Sequence, residues 1–229
     1  LSWGTPIYFI TRYIESRGRI SREKLARKKA QLQTLRYQLN PHFMFNSLNT
    51  ISAYIHSKPD LADEVLHELA DILRYSLDTG EVNSVTLQQE LTIINKYLNI
   101  EKVRFGDRLN VSFDIPDELL NTQVPPLILQ PIVENSIKHN AKQTTLAITI
   151  KVEKINNQSH INEKETLKIS ISDNGLGFSD EVLEKGFGKG VGMKNLQLRM
   201  DQLPQGKVTL SNGDLQKNKG ATVTVEMTL

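Results

Sequence analysis

The chain has 229 residues, 38% hydrophobic, 24% charged and 6% aromatic, with a formal net charge of +2. That length holds one large domain or two modest ones, and the small net charge argues against wholesale nucleic-acid binding. The absence of cysteine excludes disulfides, thiolate nucleophiles and cysteine zinc sites, and it fits a cytoplasmic location.

Residues 1–11, with Trp3, Tyr8 and Phe9, read as the interfacial end of a membrane span that continues upstream. Residues 12–30 follow as a basic juxtamembrane linker helix. Between 12 and 29, eight Lys/Arg against two Glu give +6, which leaves −4 for the rest by subtraction from +2. Such a run is often plain solvated helix surface, but aromatics followed by a basic cluster fit the cytoplasmic exit of a span. No full span of ~20 apolar residues is present, so the chain as given is expected to be soluble.

From Ile20 to about Ser57 the pattern is helical. Leu25, Leu32, Leu35 and Leu39 form one seam, and Phe45, Leu48, Ile51 and Ile55 form a second. At roughly 100° per residue the second stripe is turned well over a quarter-turn from the first. The change falls at Asn40-Pro41, inside the helical pattern, where a proline typically costs ~3 kcal/mol. His42, next in the chain, belongs to the centre of neither stripe and can face solvent. Asp60 is the expected N-cap of a second amphipathic helix with Leu61, Val65, Leu69 and Ile72 on one stripe and Leu66, Leu73 and Leu77 on another. Two antiparallel helices bury little alone, so residues 31–82 are expected to pair with a second copy as a four-helix bundle.

The stretch DTGEVNSV breaks this pattern and opens a second domain, residues 84–229. Thr86 with Gln89 forms a capping box at the start of a helix running to about Arg104. Period-two runs then mark strands at 109–115, 146–152, 167–171, 208–210 and 223–227, with helices near 126–140 and 192–203. The polar tract at 155–165 reads as a long hairpin tip.

Three motifs in this domain carry chemistry. VENSIKHN places Glu134, Asn135, Lys138 and His139 on a helix. DNGLGF places Asp173, Gly175 and Gly177 after a strand. GKGVGMKN places Gly188, Gly190 and Gly192 before a helix. A strand-end carboxylate can accept from the exocyclic amine of adenine, and glycines let backbone approach the ring. Mg²⁺ prefers oxygen, which suits the Asn135 amide together with phosphate oxygens. Lys138 lies one turn on and offers charge to phosphates, as does a glycine loop opening a helix. No G-K-[ST] follows, so this is not a Walker loop.

In this order the motifs resemble the N, G1 and G2 boxes of the Bergerat-type ATPases. QLNPHFMFNSLN, LADILRYSL and YLNIEKVRFGDRL are similar to segments of LytS/YehU-type sensor histidine kinases. The resemblance covers about residues 30–229. It implies an α+β chain, a helical-hairpin dimerisation region followed by a Bergerat-type α/β sandwich whose mixed sheet carries helices on one face. It also implies Mg-ATP as phosphoryl donor and His42 as the phosphorylated residue. The implied partners are a second copy through the hairpin, the membrane through an N-terminal region, and the aspartate of a response regulator of the LytTR DNA-binding kind. The chain itself would not bind nucleic acid.

Phe43 stands where many histidine kinases carry an acid, while Asn46 remains. Glu134 is the nearest carboxylate in the ATP motifs, turned about 100° from Asn135 on the helix; it either caps or orients a neighbour or, when the domains dock, orients or deprotonates His42. Thr222 is the expected hydroxyl beside Asp173, although the family threonine follows the glycine directly and Ala221 holds that place here. His56, His67 and His160 are structural or surface residues. A hydrolytic clamp of the MutL kind would carry Glu four residues before Asn135, where this chain has Pro131.

Overall fold

The computed structural model describes residues 40–79, 82–156, 165–186, 191–213 and 220–229. The chain forms two compact units, Leu1–Pro41 and His42–Leu229, and the account below is of the second. The proposed span end and basic linker lie outside the described residues, as do Gly188 and Gly190.

Helix α1 runs Pro41–Tyr54 and α2 runs Pro59–Asp78. Asn40 is outside the helix, so Pro41 is its first residue rather than an interior one. The first turn of a helix leaves its N–H groups unbonded anyway, and the interior cost of proline does not arise. Asp60 likewise is not the N-cap of α2. Lys58 holds that place and Pro59 starts the helix, leaving Asp60 in the first turn, where its charge meets the positive helix end.

Helix α1 buries Phe43 and Ser47, while Phe45, Leu48 and Ile55 of the expected stripe are exposed. Helix α2 buries Ala62, Val65, Leu69, Ile72 and Ser76, and leaves Leu66 and Leu77 exposed. The buried side of α2 packs on α3 (Leu87–Phe105). Polar clasps flank that seam: Asn99 donates to Glu68 at 2.7 Å, Lys96 pairs with Asp71, and the Tyr75 hydroxyl donates to Glu90 at 2.8 Å.

Helix α3 begins at the expected capping box, with Thr86 accepting from the Gln89 N–H and Gln89 accepting in return. It is apolar on most sides, burying Leu87, Leu91, Ile94, Tyr97, Leu98 and Phe105. A helix buried on most sides lies between layers. Here those layers are the helical hairpin and the sheet.

Five strands make that sheet: β2 (Leu109–Asp114), β4 (Leu146–Asn156), β5 (Glu165–Asp173), β6 (Lys207–Asn212) and β7 (Ala221–Thr228). Their order is β2-β4-β5-β7-β6, with β2 parallel to β4 and the other pairs antiparallel. Strands β4 and β5 form the expected hairpin, whose tip at 157–164 lies outside the described residues. A two-residue pair, β1 (Val85–Thr86) with β3 (Gln123–Val124), has no counterpart in the periodic pattern.

Strand β5 alternates buried Leu167, Ile169 and Ile171 with half-buried Lys168, Ser170 and Ser172, and β7 does the same. The apolar face meets α3, α4 (Gln130–Asn140) and α6 (Val191–Met200) in one core that includes Ile94, Leu98, Ile132, Ile137, Leu196 and Met200. A short helix, α5 (Asp180–Lys185), follows the glycine turn after β5. Helices therefore cover one face of a mixed sheet, as expected. The arrangement brings the end of β5 and the length of α4 to the same side.

Candidate nucleotide site and phosphoacceptor turn

Asp173 ends β5 on the helix-facing side and is 9% exposed. Its Oδ1 accepts from the N–H of Gly175 at 2.9 Å and from the N–H of Ala221 at 3.4 Å. Two amides, one in the turn after β5 and one at the start of β7, thus fix the carboxylate, and no described donor reaches Oδ2. The following turn is tied at both ends. Asn174 accepts from the Ala147 N–H at 2.9 Å, and Asn212 both accepts from and donates to the backbone of Phe178, at 2.6 and 2.9 Å. Gly177 has φ 79, a left-handed conformation that favours glycine.

Gly175 packs against the end of α4. A Cβ there would lie 2.1 Å from Oδ1 of Asn140, a buried amide that donates to the Ser136 carbonyl at 2.9 Å. This contact joins the turn after β5 to the helix carrying the other motif. On α4, Asn135 is half-buried, and Lys138 and His139, three and four residues on, are exposed. The Gln130 amide donates to Glu134 at 2.9 Å. Gly192 is exposed in the first turn of α6.

Thr222 stands apart. It pairs with Ser172 across β5 and β7, and their hydroxyls are 2.9 Å apart. Side chains alternate along a strand, so Thr222 is on the opposite face of the sheet from Asp173. Ala221, its neighbour, is the residue beside the carboxylate, and it contributes backbone rather than a hydroxyl.

His42 is exposed in the first turn of α1. The Asn46 amide nitrogen lies 3.3 Å from its Nδ1 and 3.4 Å from its Nε2. One donor almost equidistant from both ring nitrogens lies over the ring rather than in its plane. It positions the imidazole without claiming either nitrogen in a well-aligned bond. The adjacent Phe43 is buried, its ring centroid 4.6 Å from that of Tyr97 on α3. Tyr97 is held neutral, its pKa raised well above the usual phenol value first by burial, then by the charges of Glu134 and Glu101. Packing Phe43 on Tyr97 therefore seats the first turn of α1 on α3.

Glu101 was not legible as part of this cluster. Burial pushes its pKa up to about 7, Arg104 opposing and Glu134 adding to the shift. Arg104 Nη2 lies 2.8 Å from Glu101 Oε2 but is not angled as a hydrogen bond, which leaves that oxygen buried and unsatisfied.

Asp173, Gly175 and α4 on one side of a mixed sheet define an ATPase of the histidine kinase, gyrase and HSP90 class. Residues 125–229 match that family model, "Histidine kinase-, DNA gyrase B-, and HSP90-like ATPase". Residues 30–109 match the histidine kinase model, so the chain belongs to the histidine kinases. It is 37% identical over 187 residues to the sensor protein LytS of Staphylococcus saprophyticus, covering 77% of this chain and 30% of that protein. It is 34% identical over 181 residues to the sensor histidine kinase YpdA of Escherichia coli, again covering 77% and 30%. The chain thus spans about 30% of the length of these curated relatives. The catalytic domain of the histidine kinase ThkA aligns with a TM-score of 0.49 at 15% identity, over 65% of this chain and 97% of that one. Membership of that ATPase family implies ATP binding. Among the described residues no helix is long and apolar enough to cross a membrane.

Proposed function

We propose that the chain is the transmitter part of a membrane-attached sensor kinase that phosphorylates its own His42 from Mg-ATP. The observation that carries this reading is the seating of Phe43 on Tyr97. It packs the residue after an exposed imidazole onto α3, within the compact unit that also holds Asp173 and α4. Residues 31–82 serve as dimerisation and phosphotransfer region, and residues 84–229 bind the nucleotide.

Asp173 accepts from the adenine amine, and Gly175, Gly177 and the Ala221 amide shape the surface that the ring approaches. The phosphates are assigned to Lys138, His139, Gly188, Gly190 and Gly192 from their motifs. Asn135 would hold Mg²⁺, which supplies charge neutralisation at the phosphates when bound. A half-buried amide oxygen on a helix facing the Asp173 turn fits a metal that keeps most of its water.

A ring nitrogen of His42 attacks the γ-phosphorus in line. The bond from that phosphorus to the β–γ bridging oxygen breaks, ADP leaves, and the phosphoryl group remains on the imidazole, which loses its proton. Catalysis in this class of transfer is mostly positioning and charge neutralisation. Asn46 positions the ring, and Glu134 orients it or takes the proton. The phosphoryl group then passes to an aspartate of a response regulator with a LytTR-type DNA-binding domain. Exposed Phe45, Leu48, Ile55, Leu66 and Leu77 support pairing of the hairpin with a second copy. The kinase acts at the cytoplasmic face of the cell membrane, attached through sequence preceding the hairpin.

Incubation with γ-labelled ATP and Mg²⁺ tests the reading. The wild-type chain is expected to take up acid-labile label, and Asn135→Ala to lose both Mg-dependent nucleotide binding and label. Undiminished Mg-dependent binding in that variant would remove Asn135 from the metal site.

A further inference from the structure

Glu90 on α3 is 2% exposed and carries a carboxylate facing four donors. Oε1 accepts from the Tyr75 hydroxyl at 2.8 Å and the Leu127 N–H at 2.6 Å. Oε2 accepts from the N–H groups of Ile128 at 2.9 Å and Leu129 at 3.2 Å. The Glu90 pKa is raised, first by burial, with the hydroxyl and the three amides acting against that rise. Three of the four partners are amide N–H groups that only donate, and both carboxyl oxygens face them as acceptors. Tyr75 stays a donor, because burial first and then the charge of Glu90 push its pKa well above the ordinary phenol value.

The three amides belong to the turn that opens α4, the helix of Asn135, Lys138 and His139. That turn is unusual. Leu127 has φ 57, a left-handed conformation that a branched side chain rarely adopts. Leu129 gives α4 no side-chain cap, and Pro131 in its first turn has no N–H. Glu90, 37 to 39 residues away in sequence, takes the place of a local cap and presents acceptor oxygens to the N–H groups at the start of the helix. From the other side, Arg199 of α6 donates to the carbonyl of Pro126. The turn is therefore gripped by α3 and α6, and through the Tyr75 hydroxyl it is tied to α2.

We propose that Glu90 is a positioning residue for the nucleotide-binding helix, and that the Tyr75 hydroxyl makes its position depend on the phosphotransfer hairpin. A strained turn persists only where its surroundings hold it. A carboxylate that shares one oxygen between Tyr75 and Leu127 cannot be displaced by one without loosening the other. Coupling of this kind is reciprocal, so nucleotide bound at α4 must in turn change the freedom of α2. The inference rests on the reading of α4 as the nucleotide-binding helix, not on phosphotransfer to His42.

Amide hydrogen exchange on the full chain, with Mg²⁺ and a non-hydrolysable ATP analogue, tests it. In the wild type the analogue should slow exchange about tenfold, both at 127–129 and in the 69–78 segment of α2. In Tyr75→Phe the slowing at 127–129 should persist, and that in 69–78 should shrink to less than about twofold. The same variant should lower the autophosphorylation kcat about tenfold while the KM for ATP stays within about twofold. A merely structural role for Tyr75 would speed exchange equally with and without the analogue and leave the response intact, which overturns the link. Binding of the analogue by calorimetry with no response in wild-type 69–78 also overturns it. Failure of the analogue to bind would remove the nucleotide reading and the link together. Glu90→Gln should lose the response at both places, and Tyr75→Phe decides the matter if that variant does not fold.

Discussion

Gly220 precedes β7 at the point where it passes the end of β5, and Gly220→Ala tests the geometry that fixes Asp173. A Cβ at this position would lie 2.0 Å from the carbonyl oxygen of Asp173, 3.1 Å from its carbonyl carbon and 3.4 Å from Cα of Asn174. Such contacts essentially never fall below 3.0 Å, so the two strand ends must separate by about an ångström. The obstacle is backbone on both sides, held by the pairing of Ser172 with Thr222 and by the Ala221 N–H on Asp173 Oδ1. No side chain can swing away to relieve it.

Overpacking of this kind costs roughly 1–3 kcal/mol, and the rigid partners place this case near the upper figure. Loss of the Ala221 amide would also leave Asp173 misaimed, so ATP affinity should fall by about tenfold, the equivalent of one hydrogen bond to a charged group. Gly106→Ala is the matched control. It has φ 59 and ψ −142, a region that side-chain-bearing residues rarely adopt, but nothing within 4 Å of its would-be Cβ, so it should cost roughly 1–3 kcal/mol of backbone strain and leave ATP affinity unchanged. Urea unfolding and calorimetry of ATP binding on both variants read the two quantities. A Gly220→Ala chain that binds ATP normally and is no less stable than Gly106→Ala would refute the reasoning.

Two further outcomes concern Glu134 and Glu101, whose charges both act on Tyr97. Glu134→Gln should lower the autophosphorylation rate at least ~10²-fold while ATP affinity holds, and a near-normal rate would leave neutral His42 attacking unaided. Glu101 has its pKa raised in the folded chain from 4.5 to about 7, so it favours folding below the lower value and loses that contribution as pH climbs to the upper one. At roughly 1.4 kcal/mol per pH unit, Glu101→Gln should gain on the wild type by up to ~3 kcal/mol over that window. Urea titrations at several pH values check this, and a difference independent of pH would contradict it.

Much of this was legible in the sequence because it is local. The capping box of Thr86 and Gln89 spans four residues, and the alternation in β5 and β7 records one covered face directly. The sheet order was not legible, since β7 lies between β5 and β6 and β2 lies beside β4, and periodicity carries no neighbour information. Pro41 was read as interior to a helix because apolar spacing runs through it, yet the helix begins there. Phe45, Leu48 and Ile55 form an apolar stripe that nothing in this unit covers, so the pattern signalled burial without saying by what. Glu90 was not singled out by the sequence, because its amide partners come from 37 to 39 residues further on. Thr222 was expected beside Asp173 from its place in the motif, but one residue along a strand is the other face of the sheet.

The central claim is that phosphate from ATP ends on His42. Label the chain with γ-labelled ATP and Mg²⁺, map the modified residue by mass spectrometry under basic conditions, and repeat with His42→Gln. The account predicts one acid-labile phosphoryl group on His42 in the wild type. In the variant it predicts none, with ATP affinity held within about threefold because the acceptor belongs to the hairpin and the proposed nucleotide residues to 84–229. Full labelling of the variant at another residue would contradict it.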